Sequence, residues 1–231
     1  MKFGIICAMP EEIKELTAVL RHQEVTQLGG KKYYEGQIST QSVVLVESGI
    51  GKVEAGITTE HLIVEFNADV IINSGSAGGI GANLHVGDVV VSSETAYHDV
   101  DATAFNYQYG QLPGQPARFK ASAKWSDAIV AAGKSTGLNI TKGLIVTGDQ
   151  FVASRAAIQQ ILQNFPDALS SEMEGAAVGQ VATDHQVSYV VVRAMSDTGD
   201  DDAGVSFDEF IIDAGRRSAQ MLIALLNSSA R

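Results

Sequence analysis

The sequence predicts an α/β fold in which a sheet is covered on both faces by helices. Apolar runs of strand length alternate along the chain with amphipathic stretches of helix length. The strands are near-continuously apolar, as in Val187–Met195 (VSYVVVRAM), which is the pattern of a strand buried from both sides. At 231 residues and 45% hydrophobic, the chain has the material for a sizeable core.

Phe3–Ala8 reads as the first strand. Pro10 then opens a helix running from Glu11 to about Arg21, with Ile13, Leu16, Val19 and Leu20 at helical spacing. Lys32–Ile38 and Gln41–Glu47 form a hairpin across Ser39-Thr40. Lys52–Phe66 is helical, with Ala55, Leu62, Ile63 and Phe66 on its apolar side. Val70–Asn73 and Asp88–Ser92 are short strands. Asn106–Phe119, with Tyr107, Tyr109, Pro113 and Pro116, is the one long irregular segment, of the kind that serves function or an interface. Ser122–Ser135 reads as a helix, Ile140–Val146 as a strand, Ser154–Asn164 as a helix and Leu169–Glu172 as a strand. Gly175–His185 is a closely packed helix of small residues, Val187–Met195 a strand, and Phe207–Leu226 the final helix. No repeat, low-complexity tract or linker interrupts this order, so residues 1–231 are expected to form one domain.

A net charge of −11 argues against nucleic acid or an anionic membrane as the main partner. The single cysteine, Cys7, excludes an internal disulfide and any multi-cysteine metal site, and it fits a reducing cytosol. The apolar start is too short for a signal peptide, and no run reaches the roughly 18 apolar residues of a membrane span. A soluble, cytoplasmic protein is the expectation.

The stretch Gly75-Ser76-Ala77-Gly78-Gly79 follows a strand, where it reads as a tight turn or as backbone brought close to a ligand. It is not a dinucleotide fingerprint, because Leu84 stands where the third glycine belongs. Gly51-Lys52 is not a P-loop, since Val46 and Val53 occupy the required positions. His98-Asp99-Val100-Asp101 reads as a surface or subunit-contact cluster rather than a metal site. Asp200-Asp201-Asp202 lacks calcium-loop spacing and reads as a solvated acidic loop. Ser76 lacks the flanking glycines of a nucleophile elbow. Carboxylates recur where apolar strands end: Glu11-Glu12, Glu172-Met173-Glu174, and Asp197 after Arg193 and Ser196. Open α/β sheets bind ligands beyond such ends, so these segments are candidates for one crevice. Taken singly, Glu11 is equally a helix N-terminal charge and Asp197 a cap.

These segments, in order, carry a resemblance that spans nearly the whole chain. The pieces are Gly4-Ile5-Ile6, Ala8-Met9, Glu11-Glu12, Ser48 through Val53, Asn73 through Gly79, His98-Asp99, Tyr109 through Gly114, Glu172 through Glu174, Val191 through Ala194, Ser196-Asp197 and Ser206 through Phe210. The sequence resembles the bacterial 5′-methylthioadenosine/S-adenosylhomocysteine nucleosidases of the nucleoside phosphorylase superfamily. The resemblance implies a three-layer sandwich with a central mixed sheet flanked by helices. It implies Glu12 as the group that activates water and Asp197, beside Ser196, as the proton donor to N7 of adenine. Glu174 and Met173 match the ribose-binding positions, and Phe151 and Val152 the adenine-stacking and backbone-bonding ones. Ser76 and Arg193 match residues around sugar and water, with Ala77 and Gly78 in the adjoining glycine-rich stretch. Met9, Ile50 and Phe207 match the thioalkyl pocket, completed by Phe105 and Pro113 from the other subunit of a homodimer. No metal or cofactor is implied. Cys7, Pro10 and Asp200–Asp202 depart from the family pattern without disturbing Glu12 or Asp197.

Cleaving an N-glycosidic bond needs a protonated leaving base and a nucleophile for an oxocarbenium-like sugar, the two-carboxylate logic of glycoside hydrolysis. Three functions stay open on these residues. Hydrolysis of methylthioadenosine and S-adenosylhomocysteine, with 5′-deoxyadenosine beside them, would serve methionine salvage and the recycling of S-adenosylmethionine by-products. A phosphorylase would need a cationic cradle, yet Arg21 is the only arginine before Arg118. A non-catalytic adenosine sensor would need neither Glu12 nor Asp197.

Overall fold

The computed structural model describes residues 1–198 and 203–228. The acidic stretch Asp200–Asp202 lies outside the described residues. The elements follow in the order β1 (Lys2–Cys7), α1 (Pro10–Val19), β2 (Arg21–Leu28), β3 (Lys31–Ile38), β4 (Gln41–Glu47), α2 (Lys52–Val64), β5 (Val70–Gly79) and β6 (Val89–Tyr97). They continue with β7 (Phe119–Lys120), α3 (Ala123–Gly133), β8 (Ile140–Thr147), α4 (Arg155–Asn164), β9 (Ala168–Glu172), α5 (Gly175–Asp184), β10 (Ser188–Asp197) and α6 (Ala203–Ser228).

The sheet is mixed and flanked by helices, as expected. Alternation along β1 shows how it is covered. Phe3, Ile5 and Cys7 join Leu16 of α1, Trp125 of α3 and Leu222 of α6 in one apolar cluster. Ile6 joins Leu62 of α2 and Val178 of α5 in the other. Successive residues of a strand point to opposite faces, so an apolar run is what a doubly covered strand requires. A third cluster, with Leu144, Val146, Ile161 and Phe165, fills the space beneath α4. That helix starts where Ser154 Oγ accepts the Ala157 N–H at 3.3 Å.

Strand order runs β2-β3-β4-β1-β5-β10-β6-β8-β9. β9 then returns to pair antiparallel with the end of β5, Gly78 opposite Ser171 and Gly79 opposite Ser170. Five strands thus close on one another at one side of the sheet, and this closure brings the end of β9 against the end of β5. β1, β5 and β10 are mutually parallel, so their carboxyl ends share one edge.

Four readings change. The glycine-rich stretch is not a turn; β5 runs through it to Gly79, because β10 pairs with it along its length. Arg21 does not end a helix. It opens β2, an edge strand exposed at nearly every position, which is why its sequence shows no apolar alternation. β6 extends to Tyr97 through parallel pairing with β8. α6 begins at Ala203, four residues before the expected start.

Candidate active site

A cavity of about 590 Å³, counting the space open to solvent at its mouth, lies at the shared strand ends. Its walls include Met9, Glu12, Ile50, Ser76, Ala77, Gly78, Phe151, Val152, Met173, Glu174, Ser196, Asp197 and Phe207. Ala8, Gln150, Ser171 and Glu172 complete the lining. Of the other expected residues, Arg193 lies buried behind the wall, while Phe105 and Pro113 do not line the cavity of the single chain.

Glu12 sits in the first turn of α1, where the positive end of the helix faces its charge. Its Oε2 accepts the N–H groups of Ala8 at 2.8 Å and Met9 at 3.2 Å. Its Oε1 accepts the Ser76 N–H at 2.9 Å and the Ser76 hydroxyl at 3.0 Å. Despite these donors, burial dominates and raises its pKa above the usual glutamate value, with Arg193 opposing the rise.

Arg193 is 1% exposed. Its Nε donates to Glu172 Oε2 at 3.0 Å, and Nη2 donates to Glu172, to Asn73 Oδ1 at 2.6 Å and to Glu174 Oε2 at 3.2 Å. Glu172 also accepts the Gly175 N–H at 2.9 Å, so it caps α5 while it pairs with the arginine. Glu174 has a second donor in the Gly51 N–H at 2.9 Å, at the start of α2. Burial first, and then the neighbouring Glu172 charge, push the Glu174 pKa up to about 7.

Gly75 is the contact point between these groups. A Cβ there would lie 2.6 Å from Glu12 Oε1 and 2.7 Å from Arg193 Nη1. Only a glycine lets β5 pass between the carboxylate and the guanidinium.

Asp197 reaches the cavity through a register shift. Met195 pairs with Ala77 and Asp197 with Gly78, so β10 spends one extra residue against β5. A bulge re-aims the side chain that follows it. Asp197 is 1% exposed, and Ser196 Oγ donates to its Oδ2 at 2.9 Å. Across the mouth, Phe151 and Phe207 meet edge-to-face at 5.6 Å.

Sequence reasoning left Glu172 out of the site, although it quoted Glu172-Met173-Glu174 at a strand end. Alternate residues of that triplet supply both carboxylates that pair directly with Arg193. His98, expected on the surface or at a subunit contact, is buried, with Nε2 3.3 Å from Ser171 Oγ. Among the described residues, no group of His, Cys, Asp and Glu is arranged to hold a metal. No helix among the described residues is long and apolar enough to cross a membrane.

The model of the phosphorylase superfamily matches residues 2–227. The 5′-methylthioadenosine/S-adenosylhomocysteine nucleosidase of Actinobacillus succinogenes is 44% identical over 226 residues, covering 98% of each chain. The S-adenosylhomocysteine nucleosidase of Streptococcus pyogenes, solved with 5-methylthiotubericidin, is 46% identical with a TM-score of 0.96, covering 99% of this chain and 97% of that one. The 5′-methylthioadenosine/S-adenosylhomocysteine nucleosidase of Streptococcus pneumoniae, solved with the transition-state inhibitor MT-ImmA, is 45% identical with a TM-score of 0.96, covering 99% and 100%. The chain belongs to the phosphorylase superfamily and, within it, to the 5′-methylthioadenosine/S-adenosylhomocysteine nucleosidases.

The site geometry predicts an asymmetry between two glycines of β5. Gly75→Ala drives a methyl between Glu12 and Arg193, and should lower stability by about 1–3 kcal/mol in urea denaturation. Gly79→Ala meets only Met195 and Leu84 side chains, at 3.3–3.4 Å, and should cost less. Equal losses would show that the Glu12–Arg193 gap is not tight.

Proposed function

We propose that this member of the family hydrolyses the N-glycosidic bond of 5′-methylthioadenosine and S-adenosylhomocysteine, and also of 5′-deoxyadenosine. One observation carries this reading: Glu12, Glu174 and Asp197 line a single cavity that no Lys or Arg lines among the described residues. A phosphate nucleophile would meet carboxylates there without a cationic cradle, whereas water suits them.

In this reading adenine stacks on Phe151 and bonds to the backbone of Val152. Met173 packs against the ribose, and Glu174 accepts from its hydroxyls, making them electron-rich as positive charge grows on the sugar. The substituent at C5′ lies among Met9, Ile50 and Phe207. Asp197, oriented by Ser196, gives a proton to N7 while the electron pair of the C1′–N9 bond leaves with the base. A water molecule attacks C1′ and passes its proton to Glu12. The products are adenine and the 5-substituted ribose. The four donors around Glu12 fill its lone-pair positions, so the water takes the place of the Ser76 hydroxyl, which turns aside while its N–H stays. Each proton transfer contributes about 10²–10⁴-fold.

The same reading places the enzyme in the cytoplasm, in methionine salvage and the recycling of S-adenosylmethionine by-products, as one domain over residues 1–231. It works as a homodimer, with Phe105 and Pro113 of the partner subunit closing the thioalkyl pocket. Support comes from Phe105, 76% exposed, and from Val53 and Ile57, which leave an apolar strip on α2.

Adenine release in phosphate-free buffer tests the reaction; a sugar 1-phosphate in phosphate buffer would make the chain a phosphorylase instead. The roles separate with a substrate whose leaving group needs no proton, a nitrophenolate on 5-methylthioribose. Asp197→Asn should recover much of its relative activity on it, and Glu12→Gln little, each having lost about 3–5 kcal/mol on natural substrates. Equal defects on both substrates would contradict the assignment.

For the dimer, Phe105→Ala should raise KM for methylthioadenosine. An active monomer, or an unchanged KM, would count against a shared pocket.

A further inference from the structure

The strongest feature that the proposed reaction leaves unused is the His98-Asp99 pair. β6 and β8 run parallel up to Tyr97 opposite Thr147, and the ladder continues as the His98 N–H donates to Thr147 O at 2.8 Å. Backbone pairing then stops. At the next step the Asp99 carboxylate takes the place of a carbonyl: its Oδ2 accepts the Asp149 N–H at 2.9 Å. The same oxygen accepts Lys52 Nζ at 2.7 Å. Lys52 stands 3.7 Å from the Asp149 carboxylate and 5.4 Å above the Tyr97 ring. Asp149 closes the circuit, since its Oδ1 accepts the Lys52 N–H at 2.9 Å.

Two neighbouring amides at the start of α2 are therefore spoken for by different parts of the cavity. The Gly51 N–H holds Glu174, and the Lys52 N–H holds Asp149, one residue before Gln150 and two before Phe151. Gly51 has φ of 100°, a conformation that side-chain-bearing residues rarely adopt, and a Cβ on it would lie a tight 3.1 Å from Asp149 Oδ1. Gly148 is similarly confined: a Cβ there would fall 2.5 Å from the His98 ring.

We infer that Asp99, with Lys52, is a positioning residue that fixes the Gln150–Val152 segment at Asp149 and so sets the base-binding wall relative to the sugar-binding carboxylate. Asp99 touches neither base nor sugar; it acts through Asp149. The inference rests on the reading of Phe151 and Val152 as the adenine subsite.

Binding of adenine and of 5-methylthioribose, each alone, by calorimetry tests it on the full chain. Asp99→Ala should weaken adenine about 10- to 100-fold, the equivalent of a lost charged hydrogen bond, and leave 5-methylthioribose unchanged. Asp99→Asn, which keeps an acceptor for the Asp149 N–H, should restore most of the adenine affinity. Added to Phe151→Ala, Asp99→Ala should cost little more, because both act on one contact. Lys52→Met gives a second route if Asp99→Ala does not fold, and should speed hydrogen exchange at amides 149–152. Equal loss of both ligands, or unchanged adenine affinity in both Asp99→Ala and Lys52→Met while Phe151→Ala weakens it, overturns the inference and leaves the subsite reading standing. Unchanged adenine affinity in Phe151→Ala overturns the subsite reading and the inference with it.

Discussion

One buried guanidinium holds this site together. Arg193 lies among Glu172, Glu174 and Glu12, and the three carboxylates outnumber the one cation within reach. Glu172 takes the closest contact with the guanidinium and also accepts from the Gly175 N–H and the Thr147 hydroxyl. Glu12 and Glu174 are left to share what remains of the positive field after burial has stripped their water. Taking a charge out of water costs several kcal/mol unless a partner offsets it, and one partner does not serve three acids. The raised pKa values of Glu12 and Glu174 follow first from burial, which the shared Arg193 only partly offsets, and for Glu174 also from the neighbouring Glu172 charge. A folded-state pKa of about 7 against 4.5 for Glu174 means that folding takes up protons. The destabilisation is full above pH 7 and is relieved as pH falls from about 7 to 4.5. The site is thus built at some expense to stability, with two carboxyl groups held above the ordinary glutamate value by burial.

The fold meets the demands of this cluster by small adjustments at strand ends. β5 reaches the cavity as glycine and serine, because side chains at Gly75 would intrude between Glu12 and Arg193. β10 gains a residue at its bulge and turns Asp197 inward beside Ser196. β9 closes against β5, which carries the Glu172–Glu174 segment over the same edge. α2 then ties Glu174 and Asp149 together through the successive amides of Gly51 and Lys52. None of these devices adds apolar burial; each positions a polar atom.

Much of this was legible in the sequence, and what was not has a physical reason. Apolar runs and helical spacing gave most elements, and carboxylates at strand ends pointed to one crevice before any resemblance was considered. The chemical roles came from the resemblance, since spacing alone does not separate an acid from a base. The glycine-rich stretch read as a turn because glycine is a poor strand former in isolation; its strand state comes from pairing with β10, over 100 residues away. β2 was missed because an exposed edge strand carries no alternation. Glu172 and Asp99 were undervalued for a common reason. Their partners, Arg193, Lys52 and Asp149, are 21 to 50 residues distant, and local spacing says nothing about such contacts.

The central claim is that one arginine leaves two of three buried glutamates under-compensated. Carbon-13 carboxyl NMR of glutamate-labelled protein, titrated between pH 3 and pH 9 on the order of one point per half unit, reads each charge state directly. Assigned with Glu→Gln variants, the Glu12 and Glu174 resonances should titrate above the ordinary glutamate value, Glu174 near 7. Both should move higher when Arg193→Gln removes the cation. Titration of both at or below 4.5, or no response to Arg193→Gln, would contradict the account.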